Sequence, residues 1–278
     1  MISGASVFRV VVCVGALAVS SAPSAAQQFN TLDVDTLWAT VHSHRIAFFV
    51  AGDTAAPAVI LERGGGPHHA WGDITAEIAR FARVVTYDRP GFGLSEPCSR
   101  PRSASVVAEE LHEALTIRGI DLPFVLAGWS LGGSFDRVFG ALYPDAVAGL
   151  VLIDPAPENF YDRVVREHPD VWHPTLEEQN RRVASSEEGI RAEWAAWDTT
   201  MSEARRSDSG LKAPVILLTA TKAADELQPI WIDEHRKWAG RMPNVRHVLV
   251  EDAGHAIYRE KPESVIQAIR DVLAVARR

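Results

Sequence analysis

Ser130 is the residue whose neighbours most directly suggest chemistry. It lies in GWSLG, a Gly-x-Ser-x-Gly pattern, with the apolar run PFVLA before it and SLGGSFDRVFGALY after it. The first run has the length of a buried strand and the second reads as a helix, so the serine falls on the turn between them. A turn that sharp holds its central residue in a strained conformation and projects the hydroxyl outward. Gly128 and Gly132 leave room where side chains would strike the neighbouring strand and helix. The helix start adds free N–H groups and the positive end of its dipole beside any anion that forms there. The same pentapeptide also fits an ordinary strand–turn–helix with serine as the N-cap. Other stretches have to agree before catalysis is preferred.

The elements that would position this serine alternate along the chain. LWATV and RIAFFV read as a leading antiparallel pair, followed by the strands AVILE, RVVTYD, PFVLA, AVAGLVLID, PVILLTA and HVLVE. Amphipathic stretches such as SASVVAEELHEALTIRGI and the closing PESVIQAIRDVLAVARR separate them as helices. Near-continuous apolar strands between helices predict a mostly parallel α/β sheet covered by helices on both faces. Catalytic groups in such sheets sit beyond the carboxyl ends of the strands. One connection is far too long for a loop: Pro155 to Lys212 separates the sixth and seventh strands, is charged and helix-forming, and carries Trp172, Trp194 and Trp197. It predicts a helical lid inserted there. The three tryptophans, with Trp129 beside the serine, could line an apolar pocket, or the lid tryptophans could form the lid's own small core.

The motifs VILERGGGPHHAW, VVTYDRPGFGLSEP, GWSLGG, LVLIDPAPE and EDAGHAIYREKPESV, in that order, resemble those of the α/β-hydrolase fold family, in its lidded, esterase-like subgroup. The resemblance implies a nucleophile at Ser130 and a base at His255, which comes last in the chain order of that fold. A serine hydroxyl is a poor nucleophile at neutral pH until a base takes its proton, and a histidine can take it and return it. It also implies an acid, for which Asp225 is the first expectation and Asp154 the alternative. Asp225 lies thirty residues before His255, close to the family's separation, although the usual Gly-x-x-Asp pattern is replaced. Asp154 ends the sixth strand, the alternative position in some members. Two backbone N–H groups, of Gly65 and Leu131, would form an oxyanion hole. Family members usually carry His-Gly before the first of these, whereas this chain has Arg63-Gly64. Asp88 matches a residue that stabilises a turn.

Composition sets the outer bounds. The chain of 278 residues has 47% hydrophobic residues, a formal net charge of −8 and a pI near 5.7. That acidity argues against nucleic acid and anionic lipid as partners. Arg9, the apolar VVVCVGALAV and Ser24-Ala25-Ala26 follow one another as the three parts of an export signal over residues 1–26. The expectation is a secreted or periplasmic protein with no permanent membrane anchor. Cys13 would leave with the signal, and Cys98 alone cannot form an internal disulfide. Residues 27–154 and 214–278 would form the core, and 155–213 the lid. No cofactor is expected, and the remaining histidines show no metal-ligand spacing.

These observations predict hydrolysis of an ester or related acyl bond in a small molecule with an apolar portion. Proline-releasing peptidase, C–C-bond and lactone hydrolysis use the same triad and stay open. So does a non-catalytic binding protein on this fold, since fold does not fix function.

Overall fold

The computed structural model describes residues 34–222 and 227–276, the side chains of 172–175 excepted. The export segment, Asp225 and the Trp172 side chain therefore lie outside the described residues. Eight strands form one sheet in the order β1-β2-β4-β3-β5-β6-β7-β8. They are β1 (Asp35–Val41), β2 (His44–Ala51), β3 (Ala58–Glu62), β4 (Arg83–Asp88), β5 (Phe124–Trp129), β6 (Val147–Ile153), β7 (Val215–Ala220) and β8 (Val245–Val250). The pairings β1/β2 and β2/β4 are antiparallel and all others are parallel.

The strand sequences explain the layering. β3, β5 and β7 are buried along their whole length, which is why they read as unbroken apolar runs. Successive side chains nevertheless go to opposite faces. Phe124, Leu126, Leu150, Leu152 and Leu217 join one core, against Leu111 and Leu115 of α2 (Ala104–Ile117). Val125, Ala127, Val151, Ile153 and Leu218 join the other, against α1 (Ile74–Ala79) and α10 (Pro262–Ala276). Each fully buried Leu, Ile or Phe contributes roughly 1.5–3 kcal/mol, so these two layers dominate the stabilisation of the sheet.

Directly after β5 the chain turns at Ser130 into α3 (Leu131–Leu142). Between β6 and β7 it makes four helices: α4 (Phe160–Glu167), α5 (Pro169–Ala184), α6 (Glu188–Ala195) and α7 (Trp197–Ser207). They are not a separate body. Leu131, Phe135 and Val138 of α3 share a third core with Phe160, Val164, Met201 and Ala204, and with Trp231 of α8 (Gln228–Arg241). The short helix α9 (Ile257–Glu260) follows β8 and leads into α10. Every sequence-assigned strand is present, and the helical interruption falls between the sixth and seventh strands.

Candidate active site

Ser130 has φ 57° and ψ −125°, a region costly for any residue with a Cβ, on the order of 1–3 kcal/mol. The neighbourhood holds it there. Its N–H donates to the Ile153 carbonyl at 3.1 Å, and its carbonyl accepts from the N–H groups of Gly133 and Ala156, each at 3.0 Å. The glycines around it are required by close approach. A Cβ on Gly132 would lie 2.8 Å from the Arg63 carbonyl carbon, and one on Gly128 would lie 2.7 Å from that of Gly132. A third is equally constrained: a Cβ on Gly64 would sit 2.6 Å from the Ser130 Cβ and 2.8 Å from the Leu131 nitrogen. The glycine loop before Gly65 is thus pressed against the start of α3, whose first N–H groups have no intrahelical acceptor.

His255 follows β8 and is fixed from two sides. Its Nδ1 lies 2.7 Å from Asp154 Oδ2. A carboxylate only accepts, so the proton belongs on Nδ1 and Nε2 carries a lone pair. That Nε2 is buried and has no hydrogen-bond partner among the described residues. Trp129, the residue before the serine, donates its indole N–H to the His255 carbonyl at 2.8 Å, and the two rings lie 5.0 Å apart. The histidine loop is thereby tied to the turn that bears Ser130.

Asp154 is the first residue after β6, so it lies at the same sheet edge as Ser130, which follows the paired β5. It has φ 44° and is 1% exposed. Its second oxygen, Oδ1, accepts from the Ala220 N–H at 3.0 Å and from Trp231 Nε1–H at 3.1 Å. The nitrogen of His255 that a triad acid would hold is taken by Asp154. Asp225 is outside the described residues. Behind the carboxylate lies a second histidine, His235, with Nδ1 3.9 Å from Asp154 Oδ1. His235 Nε2 contacts the Pro155 carbonyl at 2.8 Å and must donate to it, so Nδ1 accepts from the Thr219 hydroxyl at 2.8 Å. Thr219 in turn accepts from His247 Nε2 at 2.8 Å. The accepting Nδ1 requires a neutral His235 ring. Burial lowers the pKa of His235, and burial with nearby His235 and Arg236 brings His247 down to about 4.

Beneath the turn is a buried ionic cluster. Arg89 donates to Glu62, to the Arg63 carbonyl at 2.7 Å, and through Nε and Nη2 to both oxygens of Glu193 at 2.6 and 3.1 Å. Tyr87 donates to Glu62 as well. Glu193 belongs to α6, so this pair fastens the inserted helices to the sheet. Burial alone would lower the Arg89 pKa, but Glu193 and Glu62 carry it well up. Asp88 joins two loops, accepting from His68 N–H at 2.6 Å and Leu94 N–H at 2.9 Å. Burial pushes its pKa up, yet the His68 ring nitrogen at 3.1 Å and those two backbone bonds hold it below the usual range.

The other expected residues fall as follows. Trp129 is 3% exposed and packs on His255 and Tyr258. The rings of Trp194 and Trp197 meet at a tilt with centroids 5.3 Å apart, and Tyr161 lies 6.3 Å from the first, edge-on, and 4.9 Å from the second, an aromatic cluster within the inserted helices. One grouping with metal-ligand spacing occurs among the described residues, His44, Cys98 and Glu110. Arg102 Nη1 donates to both Cys98 Sγ, at 3.3 Å, and Glu110, so a guanidinium already holds the place of a cation. Sequence reasoning missed Trp231, the Ala220 N–H and Gly64. The last had a usable signal, since three consecutive glycines rarely all serve flexibility.

A mostly parallel sheet with helices on both faces, a strained serine at one strand end and a buried carboxylate–histidine pair at the next define the class of the α/β hydrolases. The chain belongs to the alpha/beta hydrolase family, whose model matches residues 17–268. It is 36% identical over 106 residues to an uncharacterized vacuolar membrane protein of Saccharomyces cerevisiae, a match covering 35% of this chain and only 16% of that one. It is 24% identical over 254 residues to the pimeloyl-[acyl-carrier protein] methyl ester esterase of Aeromonas hydrophila, covering 77% of this chain and 94% of that one. Among solved structures, a thermophilic esterase from Thermogutta terrifontis matches with a TM-score of 0.63 and 25% identity, covering 87% of this chain and 99% of that one. No helix among the described residues is long and apolar enough to cross a membrane.

Proposed function

We propose that this chain is an exported serine hydrolase that cleaves an ester or related acyl bond through an acyl-enzyme on Ser130. The observation that carries the reading is the 2.7 Å contact of His255 Nδ1 with Asp154, which leaves a buried, unpartnered Nε2 beside the turn that bears the serine. In the forward step His255 Nε2 takes the Ser130 proton as Oγ attacks the carbonyl carbon. The N–H groups of Gly65 and Leu131 receive the oxyanion. Collapse expels the alcohol, which leaves with the proton from Nε2. Water then repeats the sequence on the ester of Ser130 and releases the acid. Asp154 holds the imidazole tautomer and balances the imidazolium that forms in each transition state. The helices α4–α7 act as the lid, with the Trp194–Trp197 cluster as its core. The resemblance to two esterases supports an ester over other acyl substrates.

A fluorophosphonate probe should label the folded protein at Ser130, and Ser130→Ala should lose both the label and the burst of a p-nitrophenyl ester. A variant that turns the ester over as fast as the parent would overturn the assignment. Export rests on the order of charged, apolar and small residues before Gln27. Intact-mass measurement of protein from a secretion-competent host should find a chain beginning near Gln27, and full-length protein retained in the cytosol would count against it.

A further inference from the structure

Arg63 stands where the family usually carries a histidine, and its surroundings are unusual for an arginine. It is 6% exposed, yet no carboxylate among the described residues lies within ion-pair distance of it. Its guanidinium is faced instead by three rings, Trp129 at 5.0 Å, Tyr258 at 5.8 Å and Trp71 at 5.9 Å. Burial pulls its pKa down, with only Tyr258 opposing. Burying a cation without a counter-ion is costly, and well-packed apolar residues would fill the same space more stably. What the guanidinium adds is two directed hydrogen bonds. Nε donates to the Gly65 carbonyl at 2.9 Å, and Nη1 donates to the Tyr258 hydroxyl at 3.1 Å.

Those two acceptors belong to different parts of the site. Gly65 is the expected oxyanion donor, in a run of three glycines with no side chains to fix its peptide planes. Gly66 has φ +83°, and Gly64 is required by its approach to Ser130. Tyr258 is three residues after His255. The main-chain oxygen of Arg63 is itself held by Arg89 at 2.7 Å, so the residue is pinned at both ends. Trp129 adds the third connection, from the nucleophile turn to the His255 carbonyl.

We infer that Arg63 is a positioning residue that sets the oxyanion loop against the histidine loop through its paired hydrogen bonds to Gly65 and Tyr258. The inference rests on the serine-hydrolase reading above. A guanidinium presents its donors in one rigid plane, so it fixes the separation and tilt of two acceptors at once. An ammonium on a flexible stem carries the same charge without that constraint. Misplacing an oxyanion donor weakens binding of the transition state while leaving the ground state almost untouched.

The test uses the full chain, a p-nitrophenyl ester and an alkyl boronic acid as transition-state analogue. Arg63→Lys and Arg63→Met should both lower kcat by roughly 30–100-fold with KM within about threefold, and weaken the boronic acid by a similar factor. Ethylguanidine should restore part of the rate to Arg63→Ala. Tyr258→Phe, which keeps the ring, should lower kcat about fivefold, and adding it to Arg63→Met should cost nothing more. If Arg63→Met fails to fold, Arg63→Lys and Tyr258→Phe decide alone. Variants with kcat and boronic-acid affinity within threefold of the parent would overturn the role, as would full activity in Arg63→Lys, which would assign the effect to charge. A parent that neither labels at Ser130 nor turns the ester over defeats the hydrolase reading itself, and this inference falls with it.

Discussion

Asp154 and Asp136 flank the same turn, each 1% exposed, and live in opposite surroundings. Asp154 meets His255 at one oxygen and the Ala220 and Trp231 N–H groups at the other. Asp136, six residues after Ser130 in α3, has no hydrogen-bond partner for either oxygen among the described residues. Arg89, the cation whose charge Asp136 feels, is committed to Glu62, Glu193 and the Arg63 carbonyl. Burial and the charge of Glu62 therefore push the Asp136 pKa well up, with Arg89 opposing. Equal burial thus gives unequal chemistry. Desolvation falls on Asp136 with no directed donor to offset it, whereas Asp154 has a hydrogen-bond partner at each oxygen.

The largest expected effect follows from that difference. Asp154→Asn keeps the size of the side chain but forces the wrong hydrogen-bonding partner on His255 Nδ1. It should lower kcat by on the order of a thousandfold or more, the scale seen when a triad acid is made an amide. Asp136→Asn should leave kcat within about threefold. Steady-state kinetics on one ester checks both, and comparable losses would erase the contrast. A large loss in an Asp225→Asn variant with Asp154→Asn nearly silent would move the acid to the later loop.

Trp231→Phe sharpens the same contrast at a smaller scale. It removes one donor from Asp154 Oδ1 and leaves the ring that packs edge-on to His255 at 5.5 Å. A hydrogen bond to a charged group contributes about 1.5–3 kcal/mol, part of it shared by Ala220, so kcat should fall about tenfold with KM little changed. An unchanged kcat would show that the Ala220 N–H suffices.

What could be read from the sequence divides along the same line. The eight strands were legible because parallel strands buried on both faces leave unbroken apolar runs, and the length of the Pro155–Lys212 interruption left no reading but inserted helices. Ser130 and His255 each sit in a local motif. The partners of those motifs do not. Trp231 meets Asp154 from 77 residues away and Tyr258 meets Arg63 from 195, and no local pattern marks such pairs. In the sequence both Asp154 and Asp225 follow an apolar run of the right kind, and distance to His255 favoured Asp225, yet Asp154 is the carboxylate that meets the His255 ring. Arg63 showed only as a departure from His-Gly, and Asp136 as one more charge in a helix.

The smallest effect is the one that isolates Asp136. Its folded pKa is raised above the unfolded value of about 3.9. Below that value the group is protonated in both states and its contribution is whole. As pH rises further, the unfolded chain gives up its proton first and stability falls, until the folded pKa is passed and the contribution is lost. Asp136→Asn cannot titrate, so its amide keeps the neutral form at every pH. The variant should match the parent near pH 4 and exceed it increasingly toward pH 8, read as melting temperature or urea midpoint across a pH series. Glu62 keeps Arg89 and Tyr87 in the variant, but its charge acts on Asp136, so the difference between the two curves reports the pair. Parallel curves across that range would mean that Asp136 is ionised in the folded protein, with a donor supplied by water or by movement of Arg89, and the contrast with Asp154 would then rest on geometry alone.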